Sequence, residues 1–249
     1  MLKRWCCGVI GLIMGSTAFT AESGNFSFLE TLTNLPGVSG FEKPVRQALQ
    51  KQWQPFLKEV QVDGMGNMVG FHVNNQQGPR LLLMSHMDEV GFMVESITED
   101  GFLKVVPLGG ITDSVVYAQR WQIQTGKGSI PAYSGMDSPH LLNEKNKQSV
   151  PGKNALFLDI GADSKQQAEQ QFGIRPGLPV TPDSKFTRLS DRRYMAKALD
   201  DRIGLAAITD VLQQLRHQQP NQLYVAATVQ EEIGLRGAEM ITNTLKNKY

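Results

Sequence analysis

Residues 80–89 read Arg-Leu-Leu-Leu-Met-Ser-His-Met-Asp-Glu, an apolar run that ends in a histidine and two acids. A continuous apolar run of this length predicts a central strand, buried on both faces of a sheet. His86 and Asp88 follow the strand directly, where open α/β sheets place their ligands. Imidazole is a common zinc ligand, and a nearby carboxylate fixes its tautomer and raises its basicity. Taken alone, a His and an Asp two residues apart are more often a simple loop pair.

Two further acidic clusters accompany this pair. Asp200 and Asp201 stand immediately before an amphipathic helical stretch, where one carboxylate could bridge two cations, although helix N-termini favour acids in any case. Glu231 and Glu232 follow the apolar strand predicted over residues 223–229. Two adjacent acids can divide the work, one binding a metal and the other taking a proton from water, although Glu-Glu pairs are also frequent on solvated turns. Three such clusters in this order are far less expected by chance than any one of them.

The hydrophobic pattern predicts an α/β fold interrupted by a small β-rich insertion. Helical spacing and buried-strand runs alternate on both sides of a middle region made of short apolar runs and turns, which indicates one interrupted α/β domain. The predicted domains are residues 24–98 and 188–249 for the two parts of the catalytic domain, and residues 99–187 for the inserted domain. The predicted elements are helices over 26–35, from 41 and over 203–215, a hairpin near 60–73, a strand over 223–229 and a helix from 237.

The charge balance argues against two classes of partner. The chain has 25 basic and 24 acidic residues, so no strong field draws it to nucleic acid or to an anionic membrane. We therefore expect a small or peptidic partner and no nucleic acid. Its cysteines, Cys6 and Cys7, are adjacent and so cannot frame a disulfide scaffold.

The N-terminal segment has the pattern of a secretory signal peptide. Residues 1–4 include two basic side chains, residues 5–14 are almost wholly apolar, and small residues lead up to Ala18. We expect a signal peptide over residues 1–18, with Ala21 as a second cleavage site, and export to the periplasm or the medium. The apolar core is well short of the roughly 20 residues of a spanning helix, so no stable membrane insertion is expected after cleavage.

The three clusters lie within a series of short motifs that runs from residue 35 to residue 238. The motifs are residues 37–42, 63–67, 86–92, 100–102, 107–110, 139–141, 159–162, 197–202 and 231–238. In these motifs and in their order the sequence resembles the family-forty-two metallo-aminopeptidases, which include glutamyl and deblocking aminopeptidases and assemble into tetrahedral shells. The resemblance implies a zinc-peptidase-like three-layer catalytic domain and self-association through the inserted domain.

The resemblance also implies a reaction and a role for each acid. It implies an aminopeptidase with two divalent metal ions, zinc or cobalt, that releases N-terminal residues from peptides. By position, His86 resembles a ligand of the first metal and Asp88 the acid that orients it. Asp200 resembles the carboxylate that bridges both metals. Glu231 resembles the general base and Glu232 a ligand of the second metal.

The family pattern continues beyond Tyr249 with a further Asp ligand and a His ligand, so we expect a C-terminally truncated member in which each ion keeps two of three protein ligands. Activity is then in doubt, and the alternative is a non-catalytic family member that serves as an assembly or binding partner. A related co-catalytic hydrolase, such as a deacetylase or a carboxypeptidase, is a third hypothesis.

Of the remaining histidines, we expect His72 and His217 to be structural or exposed, and His140 falls in the insertion.

Overall fold

The computed structural model describes residues 24–72, 78–135, 152–215 and 220–248. The predicted signal peptide, His140 and His217 lie outside these ranges. No helix in the described ranges has the length and apolar content needed to cross a membrane.

The predicted helices are present, and the second of them shows how an apolar face is buried. In the second helix Val45, Leu49 and Trp53 recur at helical spacing and are fully buried, and Pro44 occupies the first turn, where its missing N–H costs nothing. The α-helices of the described residues are α1 (Gly24–Asn34), α2 (Lys43–Trp53), α3 (Lys165–Gln170), α4 (Leu199–Gln214) and α5 (Arg236–Lys248).

The strands of the described residues form a four-stranded sheet, a closed barrel and a separate hairpin. The four-stranded sheet has the order β1-β2-β12-β3, and the barrel has the order β4-β5-β8-β7-β6-β9. The strands are β1 (Glu59–Val62), β2 (Met68–Phe71), β3 (Arg80–His86), β4 (Gly91–Ile97), β5 (Leu103–Leu108), β6 (Arg120–Thr125), β7 (Gly128–Gly135), β8 (Phe157–Asp159), β9 (Pro179–Pro182), β10 (Thr187–Ser190), β11 (Arg193–Met195) and β12 (Gln222–Thr228).

The prediction that the apolar run of β3 is a central strand buried on both faces is wrong for the described residues. β3 lies at an edge of the sheet, and Leu81, Leu82 and Met84 are 46%, 36% and 44% exposed. The central position belongs to β12, which is flanked by β2 and β3 and is buried along nearly its whole length. An apolar run indicates that a strand tends to be buried, but the pairing of strands determines which strand is central and which lies at the edge.

The middle region of the chain is a small barrel with its own core. Large apolar side chains from facing strands fill the barrel interior, with Phe92 and Trp121 in edge-to-face contact at 5.0 Å between ring centroids. The barrel strands span residues 91–182, so the first of them precedes the predicted domain boundary at residue 99. A second core lies between the four-stranded sheet and helices α1, α2 and α4.

A buried guanidinium ties the start of α4 to the chain after α1. Arg202 is 0% exposed, and its Nη1 donates to the carbonyl oxygens of Leu32 at 2.7 Å and Leu35 at 2.6 Å. Its Nε donates to the carbonyl of Met87 at 3.1 Å. These bonds add an acceptor contact to the last turn of α1 and bind the carbonyl of Leu35, which follows the helix. Arg202 therefore holds together three segments that are distant in sequence.

Glu89 and Lys197 complete this buried ion network. Lys197 Nζ lies 2.6 and 2.8 Å from the two carboxylate oxygens of Glu89, and Arg202 Nη2 lies 3.3 Å from Oε1. Burial lowers the pKa of Lys197 to about 8, with Glu89 opposing the shift. Glu89 is thus one carboxylate between two buried cations, and removal of its charge would leave both without a counter-ion.

We predict that Glu89→Gln lowers the free energy of unfolding by about 3–5 kcal/mol, because two buried cations lose their shared counter-ion. Urea unfolding in chelator-containing buffer measures this effect without a contribution from bound metal. The matched control is Glu99→Gln, since Glu99 pairs with Lys165 at 3.8 Å on an exposed surface and should cost less than about 0.5 kcal/mol. Equal losses in the two variants would contradict the network's contribution to stability.

Candidate functional site

The parallel pairing of β3 with β12 brings two of the three predicted clusters together. In this register Thr228 lies beside His86, so the residues that follow both strands emerge at the same edge of the sheet. His86 and Asp88 come from one strand end, and Glu231 and Glu232 from the other. Two clusters that are far apart in sequence are therefore close in space, because the strands that precede them are neighbours in the sheet.

The imidazole of His86 is buried, and its Nδ1 faces Asp88. Its Nδ1 lies 3.1 Å from the carbonyl oxygen of Asp88 and 3.5 Å from the Asp88 carboxylate. A proton on Nδ1 would be donated to that carbonyl, which leaves Nε2 as the nitrogen with a free lone pair. Both the main-chain carbonyl and the carboxylate of Asp88 thus lie beside Nδ1, and the carbonyl is the nearer of the two.

The Nε2 side of His86 faces two carboxylates. Asp200 Oδ1 lies 3.2 Å away and Glu231 Oε2 3.9 Å away. Burial alone would lower the pKa of His86, but the carboxylates of Asp88, Glu231 and Asp200 outweigh it and raise that pKa to about 9. The environment of Nε2 therefore favours a positive charge.

Asp88 binds the backbone that carries the two glutamates. Its fully buried carboxylate accepts hydrogen bonds from the backbone N–H of Glu231 at 3.0 Å and of Glu232 at 3.1 Å, and from Ser39 Oγ at 2.6 Å. Burial would raise the pKa of Asp88, but the bonds from His86, Ser39 and these amides hold it below its usual value. Ser39 was not singled out by sequence reasoning, and its only signal was membership of the motif at residues 37–42.

The first turn of α4 presents Asp200 toward His86. Asp200 and Asp201 have non-helical backbone angles and are joined by a cis peptide bond, and the Asp200 side chain is 90% exposed. Ser85 Oγ donates to the carbonyl of Asp201 at 2.6 Å, which fixes this turn to the end of β3. A Cβ on Gly204 would come within 2.7 Å of both Ser85 Oγ and Asp201 Oδ1, so a larger residue there would require these side chains to shift.

Glu232 is half-buried against the barrel side of the site. Burial raises its pKa, and the neighbouring acids Asp88, Glu231 and Asp200 add to that shift while His86 opposes it. Gly109, at φ +94°, passes so close that a Cβ there would lie 3.1 Å from the Glu232 Cβ. Sequence reasoning gave Gly109 no role beyond its place in the motif at residues 107–110.

The described residues contain no group of three or more His, Cys, Asp or Glu side chains that could hold a metal ion as they stand. One imidazole nitrogen and several carboxylate oxygens converge on the same edge of the sheet, without thiolates. Donors of these types suit a divalent metal ion. The individual roles of His86, Asp88, Asp200, Glu231 and Glu232 remain predictions.

Several known proteins are similar to this chain in sequence and in fold. A family model for the M42 glutamyl aminopeptidases matches residues 66–249. A lysyl aminopeptidase of Pyrococcus furiosus is 35% identical over 220 residues, which cover 87% of this chain and 62% of that protein. The crystal structure of a TET aminopeptidase from the marine sediment archaeon Thaumarchaeota archaeon SCGC AB-539-E09 superposes with a TM-score of 0.84 at 35% identity, covering 89% of this chain and 63% of that one.

A second solved relative is the TET1 peptidase of Pyrococcus horikoshii, with a TM-score of 0.78 at 31% identity, covering 88% of this chain and 65% of that one. This chain spans less than two thirds of the length of these relatives. The mixed α/β architecture described above is that of the TET aminopeptidases. The extent of the family match and the agreement in fold lead to one conclusion: the chain belongs to the M42 glutamyl aminopeptidase family.

Proposed function

We propose that the site at the ends of β3 and β12 serves a metal-dependent aminopeptidase that removes residues from the free N-termini of peptides. The observation that carries the proposal is the position of Nε2 of His86 between the carboxylates of Asp200 and Glu231, in a chain of this family. Divalent metals are the general rule in the family. Relatives of this chain include a protein named as a lysyl aminopeptidase, which supports the exopeptidase reaction.

His86, Asp200 and Glu232 are the residues that would hold the metal, with Asp200 the candidate to bridge two ions. Zinc or cobalt in this position would polarise the scissile carbonyl and lower the pKa of a water molecule. His86 would supply the nitrogen donor, since metal binding releases the proton that its carboxylate neighbours otherwise favour, and Nδ1 stays against the Asp88 carbonyl. The two carboxylates supply negative charge that offsets the charge of the ions.

Glu231 is the proposed general base. Its carboxylate is partly exposed and close to His86, so it can accept a proton from the attacking water and deliver it to the departing amine. Asp88 keeps the Glu231 main chain in place through the amide that it binds.

We predict that His86→Ala weakens the binding of Co²⁺ by at least about tenfold, because the site loses its nitrogen donor. Calorimetric titration of the chelator-treated protein measures the affinity. His72→Asn is the matched control, since His72 is a buried histidine at the end of β2 and has no proposed contact with metal. The metal assignment is wrong if the His86→Ala protein binds Co²⁺ as tightly as the wild-type protein.

We predict that Glu231→Gln lowers kcat for an aminoacyl-p-nitroanilide by about 10²–10⁴-fold, because the general base is lost. Metal content, measured by atomic emission, should stay near that of the wild type. Glu239→Gln, at an exposed site on α5, serves as the control and should keep full activity. If the metal-loaded wild-type chain hydrolyses no such substrate, the aminopeptidase proposal fails for this chain.

The alternative proposal is a non-catalytic role in assembly, and the observation that favours it is the set of large apolar side chains that the barrel exposes. The TET1 peptidase of Pyrococcus horikoshii is described as assembling into a tetrahedron or a large octahedral shell. The barrel module of this chain exposes Phe102, Val115 and Tyr133, at 36%, 57% and 50%. Apolar side chains of this size on one module are suited to contact with a second copy.

For self-association through the barrel, we predict that light scattering gives a mass above the 27.6 kDa of a single chain. Val115→Glu should shift the protein toward the monomer, because it places a charge in an apolar contact. Val62→Glu, at a site 44% exposed on β1, is the control and should leave the mass unchanged. A wild-type protein that is monomeric at all concentrations would exclude self-association.

A further inference from the structure

The segment that carries the two glutamates is held by remote side chains at its N–H groups, while several of its carbonyls accept backbone N–H groups of residues 234–237. Residues 229–232, here called the glutamate turn, lie between the end of β12 at Thr228 and the start of α5 at Arg236. Each of the four backbone N–H groups of the turn donates to a side-chain oxygen from elsewhere in the chain. The pairs are Val229 N to Asn67 Oδ1 at 2.9 Å, Gln230 N to Glu42 Oε1 at 3.1 Å, Glu231 N to Asp88 Oδ1 at 3.0 Å and Glu232 N to Asp88 Oδ2 at 3.1 Å.

Asn67 is itself immobilised. It is 0% exposed, and its Nδ2 donates to Asp63 Oδ2 at 2.7 Å while its backbone N–H donates to Asp63 Oδ1 at 3.0 Å. The amide of Asn67 is thus oriented with its oxygen toward Val229, because Asp63 can only accept. Gly237 closes the other side, since a Cβ there would overlap both Asn67 Oδ1 and the Val229 carbonyl. The Asn67 oxygen that accepts the Val229 N–H is therefore held in place by Asp63 and by the close approach of Gly237.

Glu42 binds the backbone N–H of Gln230, a residue whose backbone conformation is unfavourable for any residue but glycine. Gln230 has φ +55°, in the left-handed region that non-glycine residues rarely occupy. Glu42 is 3% exposed, and its Oε1 also accepts the backbone N–H of Gly40 at 2.8 Å. The residue just before Glu231 is thus tied to the loop that precedes α2.

We propose that Glu42 and Asn67 are positioning residues, which set the direction of the Glu231 and Glu232 side chains by fixing the peptide groups of Val229 and Gln230. Rotation at Gln230 would move both carboxylates relative to His86, since they are the next two side chains along the chain. A misplacement of about 1 Å in a catalytic group can reduce rate by roughly 100-fold. This inference rests on the proposed aminopeptidase function for its catalytic consequence, but the hold on the turn is independent of it.

The test compares Glu42→Ala and Asn67→Ala with the conservative Glu42→Gln, which retains an oxygen acceptor without the charge. Thr209→Ala is the matched control: Thr209 is 1% exposed and accepts Trp53 Nε1 at 2.8 Å, so its loss removes a buried side-chain bond remote from the turn. All variants are made in the full chain. Hydrogen–deuterium exchange of residues 229–232 and the kinetics of aminoacyl-p-nitroanilide hydrolysis are measured on each.

We expect exchange in the glutamate turn at least about tenfold faster in Glu42→Ala and Asn67→Ala than in Thr209→Ala. We expect kcat to fall about 10- to 100-fold with KM changed less than about threefold, and Glu42→Gln to stay near wild type in both measurements. If Asn67→Ala does not fold, the two Glu42 variants decide the question.

Two results would overturn the proposal. One is exchange and kcat in Glu42→Ala that match Thr209→Ala, and the other is an equal loss in Glu42→Gln and Glu42→Ala, which would assign the effect to charge rather than to the hydrogen bond. A wild-type chain without hydrolysis would refute the aminopeptidase proposal for this chain, and the exchange comparison alone would then decide whether Glu42 and Asn67 hold the turn.

Discussion

The buried contact between Arg202 and Glu89, joined by Lys197, is the constraint on which the arrangement of this molecule depends. Ions are buried only when they are paired and hydrogen-bonded, so the three side chains must meet, and the segments that carry them must meet with them. Glu89 directly follows Asp88, and Arg202 lies two residues after Asp200. The network that joins the start of α4 to the sheet therefore also sets the distance between the loops that carry the site.

Within that frame the acids of the site differ because their surroundings differ. Asp88 is buried and receives hydrogen bonds from a hydroxyl and two amides, which keeps it ionised and makes it a fixed anchor. Asp200 is largely exposed and Glu231 partly exposed, so both can reorient toward a cation or a substrate. The same chemical group thus serves as scaffold at one position and as a candidate reactive group at another.

Sequence patterns predicted the helices and the strand β12 because their periodicity is local. The structure also brings His86, Asp200 and Glu231 together, as three clusters at strand ends and a helix start suggested. The prediction that β3 is a central strand was wrong for the described residues, because an apolar run does not show which strands lie beside it in the sheet. The contribution of Ser39, Glu42 and Asn67 could not be predicted either, since their partners are backbone amides or a carboxylate from remote segments, and such bonds leave no local pattern.

The sequence by itself determined the residue types available to the site and the elements that carry them, through the spacing of apolar residues and the order of its motifs. It also identified the family, which the M42 match over residues 66–249 confirmed. Only the tertiary structure decided that Asp88 lies beside Nδ1 of His86 and that its carboxylate also binds the glutamate turn. The reason is physical: these contacts depend on the register of β3 against β12 and on burial, and both arise from pairing between segments that are far apart along the chain.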